Sequence, residues 1–445
     1  MEFEKFHYKT KEELQDKINQ LSVQLPLSEN TDVLFTPKDI GPRRVANRFV
    51  IQPMEGCDGT SQGSPDELTT RRYLRFAKSG AGLIWFEAVA ILREGRANPR
   101  QLYLTPQTLP DFQRLVEQVK ETCLKENGYE PIIIMQATHS GRYSKPNGIP
   151  EPIIAYNNPI FEQDAPIPKE CIITDDGIRR IEEQYAAATK LAQQAGFDGI
   201  DVKSCHRYLG SELLSAYERP GEYGGSFENR TRYLRNSVRR ALDARSSEDF
   251  IVTSRLNIYD GFPYPYGFGV SPDGGIQPDY TEGRRLVEIL HKELGMPLID
   301  ITIGNPYFNS YVNRPADAAA SVPPEHPLQG VARILDASAQ IQREFPELSV
   351  ICSGLSYLRN YSALAAAAMV ERGDAALAGF GREAFAYPEF IHDLKNTGAM
   401  APNRCCIACG KCTELMRAGS KAGCVIRDTQ AYLPLYRRDV QKLEK

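Results

Sequence analysis

Eight short, strongly apolar runs, each separated from the next by loops and helically patterned stretches, constrain this 445-residue chain more than any other feature. They occupy residues 49–53, 82–88, 132–137, 199–203, 251–256, 298–302, 348–353 and 375–379. Continuous apolar runs of this length suit strands buried on both faces. The intervening stretches include residues 174–195, opened by the cap Thr174-Asp175-Asp176, and residues 361–371. Strands alternating with helices pair in parallel, and eight of them close a (β/α)8 barrel. The expectation is therefore an α/β TIM barrel at residues 33–400. A charged helical extension precedes it at residues 1–32, with Leu14, Ile18 and Leu21 at helical spacing, and a distinct segment follows at residues 401–445. A doubly wound open sheet is the alternative.

Composition removes several function classes. Lysine plus arginine total 53 and aspartate plus glutamate 57, a net charge of −4. Nothing in that balance suggests a nucleic-acid or anionic-membrane surface. No apolar run approaches the ~18 residues of a membrane span; the longest, 363–370, is broken by Glu371. The chain opens Met1-Glu2-Phe3-Glu4-Lys5, without a charged-then-apolar leader, so a reducing cytoplasm is expected. Assembly into a homo-oligomer is left open.

Near the end stand Cys406, Cys409, Cys412 and Cys424, spaced C-x2-C-x2-C-x11-C. Three thiolates in one tight turn and a fourth from a later segment suit a [4Fe–4S] cluster. Structural zinc, which usually takes two separated C-x2-C pairs, is the alternative. Cys405 blurs the register, since Cys405-x3-Cys409 is also available.

Two loops read as phosphate binders. The seventh run ends in Cys352-Ser353-Gly354 and the eighth in Gly379-Phe380-Gly381-Arg382. Barrels commonly place phosphate on the loops after strands seven and eight, where glycines admit the oxygens to backbone N–H groups. Gly379-Phe380-Gly381-Arg382-Glu383-Ala384 also fits the dinucleotide pattern G-x-G-x-x-A, but no βαβ unit follows it. The fourth run ends in Lys203-Ser204-Cys205-His206-Arg207-Tyr208. Lys203, His206 and Tyr208 offer two donors for a developing oxyanion and one acid, at the strand end where barrel enzymes keep their chemistry. The bland alternative is a solvated lysine beside a packed tyrosine.

These features together resemble the Old Yellow Enzyme family of FMN reductases, and most closely its iron–sulfur branch, typified by bacterial 2,4-dienoyl-CoA reductase. The resemblance spans about residues 33–430. It rests on Asn47-Arg48, Gln136, His139-Ser140-Gly141-Arg142-Tyr143-Ser144, the segment 196–209, residues 223–232, Arg255-Leu256, the strand-eight glycines and the C-terminal cysteines. It implies that Pro53, Met54 and Glu55 lie along the flavin, with Ala88 a further contact. Gln136 and Arg255 would hydrogen-bond its pyrimidine ring. Ser353, Gly354, Gly381 and Arg382 would hold the FMN phosphate. Tyr208 would be the proton donor, and Lys203 and His206 would grip the substrate carbonyl. Lys203 departs from the family's usual His with His or Asn. The second and third cysteines are one residue closer than the branch's spacing, and the FAD and NAD(P)H domains of the longer relatives are not seen.

The function expected is reduction of the C=C bond of an α,β-unsaturated carbonyl compound: a steroid, phenolic, enoate or enoyl thioester. The rivals are an amine dehydrogenase of the trimethylamine dehydrogenase type and an electron-transfer flavoprotein subunit. Electrons are expected from a separate flavin reductase or ferredoxin-type partner docking near residues 401–430, with direct NAD(P)H delivery as the counter-reading. Cys57 is read either as a covalent flavin link or as an unmodified thiol in a tight turn. Tyr259, Tyr264 and Tyr266 are read as pocket or surface residues, and Trp85 as core.

Overall fold

Each of the eight apolar runs forms a strand in the computed structural model, which describes residues 4–317 and 323–442. They are β1 (Phe49–Ile51), β2 (Leu83–Ala90), β3 (Ile132–Thr138), β4 (Gly199–Val202), β5 (Ile251–Asn257), β6 (Leu298–Thr302), β7 (Ser349–Cys352) and β8 (Leu377–Phe380). All neighbours pair in parallel, and β8 closes onto β1 through Ala378 opposite Phe49. The closed ring excludes the open doubly wound sheet.

Local chemistry fixes the ring's elements. The Asn47 side chain clamps β1 to β2, its Oδ1 accepting from Gly82 N at 2.9 Å and Phe49 N at 3.1 Å. The helix Asp175–Gln194 is capped by Thr174, whose Oγ1 accepts from Gly177 N at 3.1 Å. Its buried face carries Ile178, Ile181, Tyr185, Ala188 and Ala192, the three-and-four spacing of one helical stripe. Burying each large side chain of that stripe contributes about 1.5–3 kcal/mol.

The floor of the barrel was not legible beforehand. A hairpin of Lys38–Ile40 against Arg43–Val45 precedes β1. Its Ile40 and Val45 plug the lumen beneath Val50, Leu83, Trp85 and Ile134. Three-residue strands are too short to show alternation, so sequence periodicity could not find them. Trp85 belongs to this floor, as expected of core.

At the N-terminal side the helix Lys11–Gln20 buries Leu14 and Ile18 in the main core, and Leu21 is half-buried. At the other end, helices Lys411–Arg417 and Thr429–Asp439 frame the cysteines. Asp428 ties this segment to the barrel by accepting from Arg71 and Arg75 at 2.7 Å. Ala422 N donates to Gly56 O at 2.7 Å, which lays the segment across the mouth beside the loop after β1. No helix among the described residues is long and apolar enough to cross a membrane.

Candidate functional site

The lumen changes character directly above Trp85. Its indole Nε1 donates to Asp201 Oδ2 at 2.9 Å, and the same oxygen accepts from Gln136 Nε2 at 2.7 Å. Asp201 Oδ1 takes the backbone N–H of Arg255 at 2.7 Å, and Arg255 Nε stands 2.9 Å from Asp300 Oδ2. Burial pushes both Asp201 and Asp300 up to about 6. Asp201 ties down the Gln136 amide nitrogen and leaves its carbonyl oxygen available as an acceptor for the space above. Arg255 offers the opposite sign. This layer therefore presents one acceptor and one cation upward, a complement to the donor and acceptor edge of a flavin pyrimidine.

Above it lies one cavity at the C-terminal ends of the strands. Pro53, Met54, Glu55, Ala88, Gln136, Lys203, His206, Tyr208, Arg255, Ser353, Gly354, Gly381 and Arg382 all line it. The fold thus brings every residue that the sequence singled out for flavin and substrate around one cavity. Gln52, Tyr307, Asn313, Arg314, Phe385 and Met416 line it too and were not foreseen. Gln52 abuts the β1 segment already singled out, and Tyr307 follows β6 in the turn Gly304-Asn305-Pro306, so strand-end position was the available signal.

Several features fit a mononucleotide flavin. Both polar side-chain atoms of Gln52 are buried without a well-aligned partner. Gly381 leaves an indentation beside Met54, where an added Cβ would stand 3.1 Å from the sulfur. Arg382 donates to Pro315 O at 3.3 Å, and Arg314 donates to Thr413 Oγ1 at 3.1 Å and Pro306 O at 2.9 Å. Among the described residues neither arginine has a carboxylate within ion-pair distance. Burial, reinforced by Arg382, lowers Arg314 to about 10, so the loops after β7 and β8 face a positive potential suited to phosphate.

Lys203, His206 and Tyr208 owe their position to a strained turn. His206 and Arg207 both take φ of 61°, a region costing about 1–2 kcal/mol per non-glycine residue. Arg207 holds it there, pairing with Asp260 at 3.1 Å and donating to Tyr156 Oη at 2.9 Å. Lys203 Nζ sits 3.7 Å from the Tyr208 ring centroid. The Tyr208 hydroxyl meets that of Tyr307 at 3.0 Å. Burial raises Tyr208 well above the usual phenol range and so keeps it protonated. Burial, with the charges of Arg255 and Lys203, holds His206 well below its usual range, leaving a neutral imidazole. Lys203 is lowered by burial, and Glu55 is raised by burial.

Other expectations resolve differently. Cys57 is buried at φ 49° with Asn98 Nδ2 3.4 Å from its sulfur, and it does not line the cavity. Tyr259 donates to Ile276 O at 2.6 Å, Tyr264 is exposed, and neither they nor Tyr266 reach the cavity wall. Arg142 pairs with Glu162 and Glu212, so this part of the motif after β3 anchors loops.

Cys406, Cys409, Cys412 and Cys424 line a second, smaller cavity with Arg382, Phe385 and Ile407. Cys405 faces away, its sulfur donating to Ala401 O at 3.4 Å. Cys412, Arg382 and Phe385 line both cavities, so the two share a wall. Among the described residues no three His, Cys, Asp or Glu side chains converge on a single-ion site. The four sulfurs border a common space, but the [4Fe–4S] cluster expected from their spacing is not shown by this geometry.

Comparison with known proteins bears on both fold and family. The model for NADH:flavin oxidoreductase / NADH oxidase matches residues 33–265, just over half of the chain. An NADPH dehydrogenase of Clostridium acetobutylicum is 31% identical over 231 residues, 51% of this chain and 63% of that protein. One from Bacillus subtilis is 33% identical over 211 residues, 46% and 58% respectively. The chain thus spans under two thirds of the length of these two relatives. An NADPH dehydrogenase of Geobacillus sp. is 30% identical over 277 residues, 61% of this chain and 73% of the relative. Among solved structures, 2-naphthoyl-CoA reductase in complex with 2-naphthoyl-CoA superposes with a TM-score of 0.72 at 19% identity, covering 89% of this chain and 57% of the other. A morphinone reductase variant in complex with tetrahydroNAD gives 0.60 at 22%, covering 83% and 92%. At these identities the structural likeness speaks for the fold.

Proposed function

The chain belongs to the NADH:flavin oxidoreductase / NADH oxidase family, and from that premise we propose that it is an FMN-dependent ene-reductase acting on an α,β-unsaturated carbonyl compound. One observation carries the reading. The donors Lys203 and His206 and the acid Tyr208 line one cavity with Gln136, Arg255 and the two loops read as phosphate binders. Bound FMN would rest on Gln136 and Arg255, with its phosphate on Ser353, Gly354, Gly381 and Arg382, and when reduced it supplies hydride.

The chain's own residues do the rest. Lys203 and His206 hold the carbonyl oxygen and stabilise the negative charge that develops there. Tyr208, protonated at neutral pH and bonded to Tyr307, delivers the proton to the α-carbon. Phe385, Met416 and Tyr307 line the same cavity and would shield the reacting carbons from water. A cationic amine substrate is disfavoured, because Lys203, Arg255 and Arg314 make the wall electropositive. Chemically reduced holoenzyme, incubated without oxygen with enones, enoates and enoyl thioesters, should yield products two mass units heavier. Oxidation of an amine panel with no reduction of any acceptor would overturn the assignment.

The electron route has two supports pointing to different donors. The relatives are named NADPH dehydrogenases, which favours direct NADPH delivery. The cysteine-bearing residues 401–445 hold nine lysines and arginines against four acids, a net of +5 in a chain that totals −4. A [4Fe–4S] cluster on Cys406, Cys409, Cys412 and Cys424 would sit in that basic surface beside the flavin wall. An acidic ferredoxin-type or flavin-reductase partner would dock there by charge complementarity. Flavin bleaching by NADPH alone, compared with bleaching through an acidic one-electron carrier at low and high salt, decides between them.

A further inference from the structure

We infer that the acceptor is an α,β-unsaturated carboxylate, and that Lys203 holds its carboxylate group. The inference rests on the ene-reductase reading and narrows it to one substrate class.

Lys203 is buried at the end of β4 and faces the cavity with its ammonium over the Tyr208 ring. Several buried cations of this barrel have a carboxylate. Arg255 has Asp300 at 2.9 Å, Arg207 has Asp260 at 3.1 Å and Arg72 has Asp58 at 2.5 Å. Lys203 is different: among the described residues no carboxylate lies within the 4.0 Å of an ion pair. Asp201, the nearest acid on its own strand, is committed to three donors below. Glu55 lines the same cavity but engages Asn98 Nδ2 at 3.1 Å through its Oε1. A buried ammonium without a counter-ion is costly, and its natural complement is an anion that arrives with the substrate. Arg314, also on the wall and also without a carboxylate partner, strengthens the same potential.

The reaction gives the second argument. Hydride addition to the β-carbon of an unsaturated ketone moves the π pair toward oxygen and makes an enolate with one negative charge. Neutral donors such as imidazole and phenol stabilise that charge adequately. The same addition to an enoate makes an enediolate with two negative charges on one carboxyl group. A full positive charge with three N–H donors is matched to that dianion, and a neutral imidazole is not. The Tyr208 proton then passes to the α-carbon, leaving a saturated carboxylate and a tyrosinate that regains a proton from solvent. His206, which lines the same cavity, would take the second carboxylate oxygen.

The test uses holoenzyme and two carbon skeletons, crotonyl and cinnamyl, each as carboxylate, primary amide and aldehyde. Chemically reduced enzyme is mixed with each acceptor without oxygen, and kcat/KM is compared for the native chain, Lys203→Met and Lys203→Arg. A parallel titration follows the flavin absorbance of oxidised enzyme with 3-phenylpropanoate, which binds but cannot be reduced. The expected result is a native preference for carboxylate over amide of at least 10-fold. Lys203→Met should lose about 10²-fold or more on the carboxylates, lose far less on the aldehydes, and weaken 3-phenylpropanoate binding. Lys203→Arg should recover part of both. Reduction of aldehydes and amides but not carboxylates, or an equal loss on all three in Lys203→Met, overturns the inference while the reductase reading stands. Lys203-dependent binding of 3-phenylpropanoate without reduction of any acceptor keeps the carboxylate site and sinks the reductase reading. Unchanged FMN content in both variants shows that the losses are not misfolding.

Discussion

Removing the Tyr208 hydroxyl tests the proposed proton transfer most directly. Tyr208→Phe deletes one oxygen from a buried ring whose only hydrogen-bond partner among the described residues is the Tyr307 hydroxyl, 3.0 Å away. The ring itself remains to carry the Lys203 ammonium at 3.7 Å. Packing is therefore conserved, and the stability cost is that of one neutral hydrogen bond, about 0.5–1.5 kcal/mol. General-acid assistance contributes about 10²–10⁴-fold, which is about 2.7–5.5 kcal/mol of barrier. The oxidative half-reaction of pre-reduced enzyme with an unsaturated acceptor, followed by flavin absorbance in a stopped-flow cell, should slow within that range. Reduction of the flavin should keep its native rate, because Tyr208 takes no part in it. Tyr307→Phe is the comparator. It removes only the bond that orients Tyr208, so the loss should be about 2- to 10-fold. Either hydroxyl can donate in their mutual bond and both residues line the cavity, so the rates identify the donor. If Tyr307→Phe falls as far as Tyr208→Phe falls in the first prediction, and Tyr208→Phe does not, the roles are reversed. Native rates in both variants, with chemistry limiting, would assign the proton to solvent and refute the reasoning.

Three further outcomes follow from other parts of the structure. Serine at Cys406, Cys409, Cys412 or Cys424 should abolish iron and acid-labile sulfide, each near four per chain on anaerobic purification, whereas Cys405→Ser should not; stoichiometric zinc without sulfide would decide for a structural ion. Gly354 has φ of 87°, and an added Cβ would meet Ile334 Cδ1 at 2.8 Å. Gly354→Ala should thus lower stability by at least the ~1–2 kcal/mol of a left-handed alanine, as read by the urea unfolding midpoint, and an unchanged midpoint would contradict the assignment. Asp201 and Asp300 are raised by burial to about 6, so between about pH 4 and 6 the folded chain holds protons that the unfolded chain has released. Their ionisation therefore costs stability as pH rises through that window. Flavin-free protein should show an unfolding midpoint in urea that loses this contribution from pH 4 to 6, and Asp201→Asn should flatten that fall; a fall as steep in the variant as in the native chain would contradict the assignment.

The barrel was legible because its strands are apolar on both sides and its helices on one. That contrast survives in a linear sequence, and eight repeats of it admit few closed solutions. The chemistry-bearing residues were legible for a related reason. A parallel barrel delivers every strand's C-terminal end to one face, so Lys203, Arg255, Ser353 and Arg382 had to converge once the strands were placed. Spacing likewise revealed the four cysteines as a set, because three of them fall within seven residues. What no local pattern could supply were the partners that give these groups their state. Asp201 reaches Trp85, 116 residues away, and Gln136, 65 away, and so leaves the Gln136 carbonyl without that partner. Tyr307 meets Tyr208 across 99 residues. The left-handed pair His206 and Arg207 persists because Asp260 and Tyr156 hold the guanidinium from other loops. Sequence set the residue types and the face on which they gather, since both follow from periodicity along the chain. Tertiary packing set which buried charges have a counter-ion, because that depends on contacts between segments brought together only by closure of the ring.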